Sequence, residues 1–265
     1  MRIGIIGCAG RMGRMLVAEV LAADNCRLLG GTEQAGSEFI GQDIGELIGV
    51  GALGLPVGED AAALFAAADA VIDFTTPAVA AANAALAADH KTALIVGATG
   101  LEAKHQDALR RAAGSCVIVQ AANMSVGVNL LLGLTERVAA VLGDNYDIEI
   151  VEMHHRHKVD APSGTALALG SAAAEGRGVD LNMVSRRVRD GHTGDRNRGE
   201  IGFATLRGGD VVGDHTVIFA AEGERIELTH KASSRTIFAG GAVKAALWTK
   251  GRPPGLYSMR NVLGF

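Results

Sequence analysis

Hydrophobic and polar positions in the first third of the chain alternate between two periods. Residues 2–7 form a short apolar run, and the stretch from about residue 11 to 23 has helical spacing. Residues 26–30 predict a second strand and residues 70–74, AVIDF, another. Pro77 then opens an alanine-rich helix, at a position where its missing N–H costs nothing. TALIVG at 92–97, a helix near 102–113 and CVIVQ at 116–120 continue the rhythm. Repeated βα units of this kind predict an α/β fold, a Rossmann-like doubly wound parallel sheet.

Beyond Asn123 the pattern changes. A long helix over 126–142 leads into a strand over 147–153, then a basic cluster and a second alanine-rich helix. Residues 185–200 read as a polar loop. Strand-like runs follow at 201–207, 214–221 and 225–230, joined by Gly-Gly-Asp and Glu-Gly-Glu turns, and such short joins predict antiparallel pairing. The tail from Ser234 predicts a helix returning to the first domain. The expected division is residues 1–125 with 235–265 in one domain. Residues 126–234 form the other, an α+β unit with a mixed, largely antiparallel sheet.

Composition sharpens this. Apolar residues make up 48% of the 265, yet only 4% are aromatic and 36 are glycine, which suits close packing of helices on a sheet. A net charge of −4 argues against general nucleic-acid binding. Cys8, Cys26 and Cys116 are odd in number and far apart, which predicts a reducing compartment. The apolar start is short and interrupted by Arg11 and Arg14, unlike a signal peptide, and Glu136 and Arg137 interrupt the longest apolar stretch. These features predict a cytoplasmic protein with no membrane segment.

Two clusters carry chemistry. Gly7-Cys8-Ala9-Gly10-Arg11-Met12-Gly13 falls between the first strand and the first helix. Glycines there permit a tight turn and let the backbone approach a pyrophosphate at the helix N-terminus. Glu33 lies about twenty residues on, where an acid can hold ribose hydroxyls. Gly97-Ala98-Thr99-Gly100 and Ala121-Ala122-Asn123-Met124 follow two later strands, at the sheet edge where open α/β folds bind ligands. Together they predict dinucleotide binding.

The second cluster is EMHHRHKVDAPSGT, residues 152–165. His154, His155, Arg156, His157 and Lys158 would repel one another unless something anionic sits among them. The Pro-Ser-Gly-Thr turn opening the next helix adds an anion-binding N-terminus. A small, multiply anionic substrate that gains or loses protons is the reading this supports. A solvated basic face is one alternative. Zinc is another, since His155 and His157 would share a face if they lay on a strand, but no third ligand is obvious and no metal is expected.

GCAGRMGR, VIDFTTP, GATG, AANMSVGVN, EMHHRHKVDAPSGTA, GHTGDR, IGFATLRGGDVVGDHTV and THKASSR are spread from residue 7 to 235. With these motifs the chain resembles the dihydrodipicolinate reductases over essentially its whole length. The resemblance implies reduction of 4-hydroxy-tetrahydrodipicolinate to tetrahydrodipicolinate by NADH or NADPH, in lysine and diaminopimelate biosynthesis. It implies His154 as proton donor/acceptor and Lys158 as proton donor. His155, Gly164 and Thr165 would contact the substrate carboxylates. The cofactor positions would be Gly7, Cys8, Ala9, Gly10, Arg11, Met12, Glu33, Gln34, Gly97, Ala98, Thr99, Ala121, Ala122, Asn123 and Met124. Domain closure would exclude water. It also implies a homotetramer assembled through the second domain's sheet. Gln34 stands where NADPH-favouring members often carry Arg, and Met124 where Phe is common; the first departure points to NADH or dual use.

A Lys among other cations is expected to be a better acid. Two other readings stay open: another NAD(P)-dependent dehydrogenase of amino-acid metabolism, or a non-catalytic dinucleotide-sensing module.

Overall fold

A computed structural model describes all 265 residues, which form two compact units, Met1–Val126 with Thr236–Phe265, and Gly127–Arg235. The elements of the first unit begin with β1 (Arg2–Ile6), α1 (Arg11–Ala22), β2 (Arg27–Thr32), α2 (Ile44–Ile48) and α3 (Ala61–Ala67). They continue with β3 (Ala70–Asp73), α4 (Pro77–His90), β4 (Ala93–Val96), α5 (Ala103–Ala112) and β5 (Val117–Gln120). The second unit holds α6 (Val126–Leu142), which starts at the boundary, then β6 (Asp147–His154), α7 (Gly164–Arg177), α8 (Leu181–Val184), β7 (Ser185–Arg186), β8 (Ile201–Arg207), β9 (Gly213–Ala221) and β10 (Glu224–Ala232). The chain then returns to the first unit as α9 (Thr236–Trp248), β11 (Gly255–Tyr257) and α10 (Met259–Leu263).

The first unit is the doubly wound fold that the alternation predicts. Its six strands are parallel in the order β2-β1-β3-β4-β5-β11, so the direction of winding reverses between β1 and β3. Both faces are covered, as parallel sheets require. Ile3, Ile5, Ile72, Ile95 and Val119 pack with Leu16, Val17 and Val20 of α1 and with Ala239, Ala242 and Val243 of α9. Val71, Leu94 and Ile118 meet Phe65, Ala80, Ala84 and Leu109 on the other face. The small residues allow close approach: a Cβ on Gly241 of α9 would lie 1.7 Å from the Met124 carbonyl oxygen.

In the second unit the order is β10-β9-β6-β8-β7, with β6 antiparallel to β9 and parallel to β8. The Glu-Gly-Glu join does make a hairpin, with Glu224 opposite Ala221. The Gly-Gly-Asp join does not, contrary to the expectation from its length. β8 and β9 lie on opposite sides of β6, and residues 208–212 pass over its end. Backbone bonds hold that crossing, with His155 N–H donating to the Val211 carbonyl (2.8 Å) and Gly208 N–H to that of His154 (3.0 Å). These bonds replace the hairpin pairing, and they leave the crossing loop against the basic cluster.

One sheet face is buried by alternate residues. Ile148, Ile150, Ile201, Phe203, Val217 and Phe219 pack against Leu131 and Ala139 of α6 and Leu169 and Ala173 of α7. α6 with its following turn is long and apolar enough to cross a membrane by length and composition, with mean hydropathy 1.4; here it puts Leu131 and Ala139 into the core and leaves Leu130, Leu134 and Val141 exposed. On the opposite face Glu149 of β6 lies across Gly202 of β8, where a Cβ would come within 1.9 Å of its carboxylate. Arg189 and Arg196 grip that carboxylate at 2.8–2.9 Å, tying the polar loop at 187–199 to the strand.

Candidate active site

The glycine loop lies at the carboxyl end of β1, where the winding reverses and ligands of such sheets bind. Gly7 takes φ +70° and its N–H donates to the Thr32 carbonyl (2.8 Å), folding the chain back over β2. Gly13, buried in the first turn of α1, sits so close that a Cβ would lie 1.9 Å from the Gly7 carbonyl oxygen. Gly10, the N-cap, offers no side chain to the helix N-terminus, and no acidic residue occupies the first turn. Arg11 is exposed beside it and Met12 half-buried.

Glu33, at the end of β2, accepts a hydrogen bond from the Ala9 N–H at 2.8 Å, and Gln34 after it is exposed. Cys8 is buried, and burial, with Glu33 nearby, pushes its thiol up to about 11, so it is inert at neutral pH. Arg14, not singled out by the sequence, braces the loop by donating to the carbonyls of Ala9 (2.8 Å) and Leu47 (3.1 Å).

The other two loops extend adjacent strands. Gly97 N–H donates to the Asp73 carbonyl (2.9 Å) and Ala121 N–H to that of Val96 (3.2 Å), so both loops begin as continuations of the sheet. Gly97 is required because the Phe74 ring lies where its Cβ would be, at 2.4 Å. Ala98 is buried and Thr99 exposed. Ala122 is exposed, Met124 is buried, and Asn123 Oδ1 accepts the Ser125 N–H (2.9 Å).

Asp73 escaped the sequence reading: fully buried, it accepts from Thr75 N–H, Thr75 Oγ and Asn83 Nδ2 at 2.6–2.8 Å and so fixes the loop between β3 and α4. The donors left by Gly10, the cradle closed by Gly13 and the acid at residue 33 fit a dinucleotide.

The basic cluster is built on the polar end of the second unit's buried sheet face. Strand periodicity carries Ile148 and Ile150 inward, and the same face continues to Glu152 and His154. Register sets His154 opposite Arg207 of β8 and Glu152 opposite His215 of β9. β6 thus runs one residue further than expected and takes His154 into the sheet. Glu152, 1% exposed, receives four donors. They are His154 Nδ1 (2.6 Å), the Ser163 N–H (2.9 Å) and both terminal nitrogens of Arg207 (2.8 and 2.9 Å). Burial raises this carboxyl's pKa, but the bonds from Arg207, His154 and Ser163 outweigh it and hold it below the ordinary value.

Burial lowers the His154 pKa, and Lys158 and Arg207 lower it further against the opposing pull of Glu152. His215, whose ring meets that of His154 edge-on at 5.0 Å, is held neutral, with burial pushing it down to about 4. Its Nε2 shares a hydrogen bond with Ser163 Oγ (2.9 Å), which also accepts the Ala166 N–H (3.0 Å) and so caps α7. The first turn of α7, Gly164 and Thr165, therefore starts from a residue fastened to both Glu152 and His215.

Lys158 pairs with the Asp160 carboxylate at 2.8 Å, and Arg207 donates to the Asp160 carbonyl at 2.6 Å. Part of the negative charge that the cluster needs is internal, because Glu152 and Asp160 lie among the cations. His155 and His157 follow the strand end in a turn, their rings 6.1 Å apart, so the shared strand face behind the zinc alternative is lost. His155 keeps a buried Nδ1 without a hydrogen-bond partner. Arg156 and His157 are exposed. Glu152, Arg207, Ser163 and His215 were missed by the sequence reading; the alternation in IEIVEMH marks Glu152, whereas the others depend on pairing register.

Residues 1–124 match the family model described as "Dihydrodipicolinate reductase, N-terminus" and residues 127–263 the one described as "Dihydrodipicolinate reductase, C-terminus". The 4-hydroxy-tetrahydrodipicolinate reductase of Ruegeria pomeroyi is 56% identical over 262 residues, covering 99% of this chain and 97% of that protein. That of Brucella abortus is 52% identical over 265 residues, covering 100% and 99%. Among solved structures, dipicolinate-bound dihydrodipicolinate reductase from Paenisporosarcina sp. TG-14 has the same fold, with TM-score 0.77 at 23% identity and 97% of each chain covered. Biliverdin reductase from Synechocystis sp., in complex with biliverdin and NADP+, aligns at TM-score 0.54 and 15% identity over 99% of this chain and 94% of that one.

Proposed function

The chain belongs to the dihydrodipicolinate reductase family, and from that membership we propose that it reduces 4-hydroxy-tetrahydrodipicolinate to tetrahydrodipicolinate with NADH or NADPH in lysine and diaminopimelate biosynthesis. The observation that carries this reading is the joining of His154, Lys158 and the first turn of α7 around two internal carboxylates. A dicarboxylate needs charge-assisted donors and a helix N-terminus. His155, Gly164 and Thr165 take that role, and the unpartnered Nδ1 of His155 supports it. A nicotinamide held there would supply a hydride to a ring carbon, the 4-hydroxyl of the substrate leaving as water. His154 and Lys158 hold the proton that the reduced ring must receive, and a His suits that task near neutral pH.

Gly7 to Met12 would cradle the pyrophosphate, Glu33 and Gln34 the ribose, and residues 97–99 and 121–124 the nicotinamide half. In this reading 1–125 with 235–265 is the dinucleotide-binding domain, and 126–234 the substrate-binding and oligomerisation domain. Glu33 would repel a 2′-phosphate and Gln34 offers it no cation, which favours NADH, with Arg11 leaving some NADPH use. The protein would act in the cytoplasm as a homotetramer. Apolar residues on the sheet face away from α7, among them Val151, Met153, Ile218 and the exposed Leu206, support assembly through that face.

Nicotinamide oxidation with substrate generated in situ from pyruvate and aspartate semialdehyde tests the activity. The combined variant His154→Ala with Lys158→Ala should lose roughly 10²–10⁴-fold in kcat while keeping its NADH affinity. Retained turnover would remove both roles. Tight NADH binding with no turnover in the unaltered protein would favour a sensing module.

A further inference from the structure

We propose that Glu152 and Arg207 are positioning residues, which confine proton exchange at His154 to Nε2 and hold that nitrogen in register with Lys158 and the first turn of α7. The inference rests on the proton-transfer role given to His154 above. An ionised carboxylate can only accept hydrogen bonds. Glu152 has both oxygens engaged, by His154 Nδ1, the Ser163 N–H and a two-pronged Arg207. The 2.6 Å contact therefore requires Nδ1 to carry a hydrogen in both charge states of the ring, which leaves Nε2 as the nitrogen that titrates.

Gly213 keeps that nitrogen open. A Cβ there would stand 3.0 Å from Nε2 and 3.4 Å from Cδ2, so even an alanine would crowd the exchanging face.

Arg207 extends the arrangement. The guanidinium nitrogen that meets Glu152 at 2.9 Å also donates to the Asp160 carbonyl at 2.6 Å, and the Asp160 side chain holds Lys158 Nζ at 2.8 Å. One fork thus spans the supports of both proton carriers. The charged and titratable groups facing His154 are Glu152 on its own strand, Arg207 from β8, neutral His215 from β9, backed by His230 on β10, and Lys158 with Asp160 from the following turn. Removing the Glu152 charge takes away the anion that favours the charged ring, leaves Lys158 only its Asp160 partner, and moves the titration of His154 to lower pH. Removing the Arg207 charge takes away one of the two cations that oppose protonation and moves it to higher pH.

The test uses the full chain. ¹⁵N-histidine NMR should show His154 protonated at Nδ1 in its neutral form, and Glu152→Gln, which keeps the shape, should mix the two tautomers. Glu152→Gln should lower kcat roughly 10²-fold, with NADH affinity within twofold and the acid–base limb of the kcat–pH profile displaced downward. Arg207→Gln should displace that limb upward, and Glu152→Asp should recover part of the rate. An Nε2-protonated neutral His154, or limbs unmoved in both charge-removing variants, overturns the proposal. If His154→Ala itself retains turnover, the reading beneath it has failed instead; loss in His154→Ala with an unchanged Glu152→Gln profile refutes the positioning role alone.

Discussion

Gly13→Ala isolates the geometric demand of the glycine loop. The added methyl would stand 1.9 Å from the Gly7 carbonyl oxygen, 2.7 Å from Cys8 Cα and 2.8 Å from Cys8 C. All three are backbone atoms, and ordinary carbon contacts begin near ~3.5 Å. The loop must therefore move by more than ~1 Å relative to α1, and overpacking of this kind costs about 1–3 kcal/mol of stability. The N–H groups expected to meet the pyrophosphate ride on that loop. Losing one or two hydrogen bonds to a charged group, at about 1.5–3 kcal/mol each, should weaken NADH binding by at least tenfold. Gly10→Ala is the comparison for stability alone, since its Cβ would lie 3.3 Å from the Gly7 oxygen and needs only a small adjustment. Isothermal titration with NADH, paired with thermal melts, reads both quantities. Gly13→Ala binding NADH within threefold of the unaltered protein would refute the reasoning.

Other consequences concern charge. His215 sits at about 4 in the fold against 6.5 for an ordinary histidine, so only the unfolded chain takes up its proton between those values. Stability should be complete above about pH 6.5 and fall as pH drops towards 4, by up to about 3 kcal/mol; His215→Gln should flatten that slope, and an unflattened slope in melts across the range counts against the assignment. Glu33→Ala should raise the NADPH-to-NADH ratio of kcat/KM about tenfold, and an unchanged ratio would mean that residue 33 does not meet the ribose. Ser163→Ala removes the cap of α7 and the partner of His215, and should lower stability by about 1–2 kcal/mol in chemical denaturation.

The parallel sheet was legible in the sequence because each βα unit declares itself within a few residues, through apolar runs, Pro77 and the glycines after β1. The second sheet was less so. The join between β8 and β9 has the length of a hairpin, and nothing local reveals that His155 and Gly208 bind the crossing backbone to β6. The same non-local pairing hid half of the site. His154 and Lys158 stand together in the chain, whereas Arg207 and His215 reach them only through strand register. The β11 edge was invisible because three residues carry too little pattern to register as a strand.

The return of α9 and β11 to the first unit bears on how the protein is made. On the ribosome, residues 1–126 emerge without Ala239, Ala242 and Val243, which complete one face of their core, and without the strand that covers β5. A nascent chain halted anywhere before residue 236 has the glycine loop but an open apolar sheet face, a surface that invites aggregation or chaperone capture. The intervening unit, continuous from 127 to 235, can finish folding while the first still waits. Competence to bind a dinucleotide is therefore deferred to the last stage of translation.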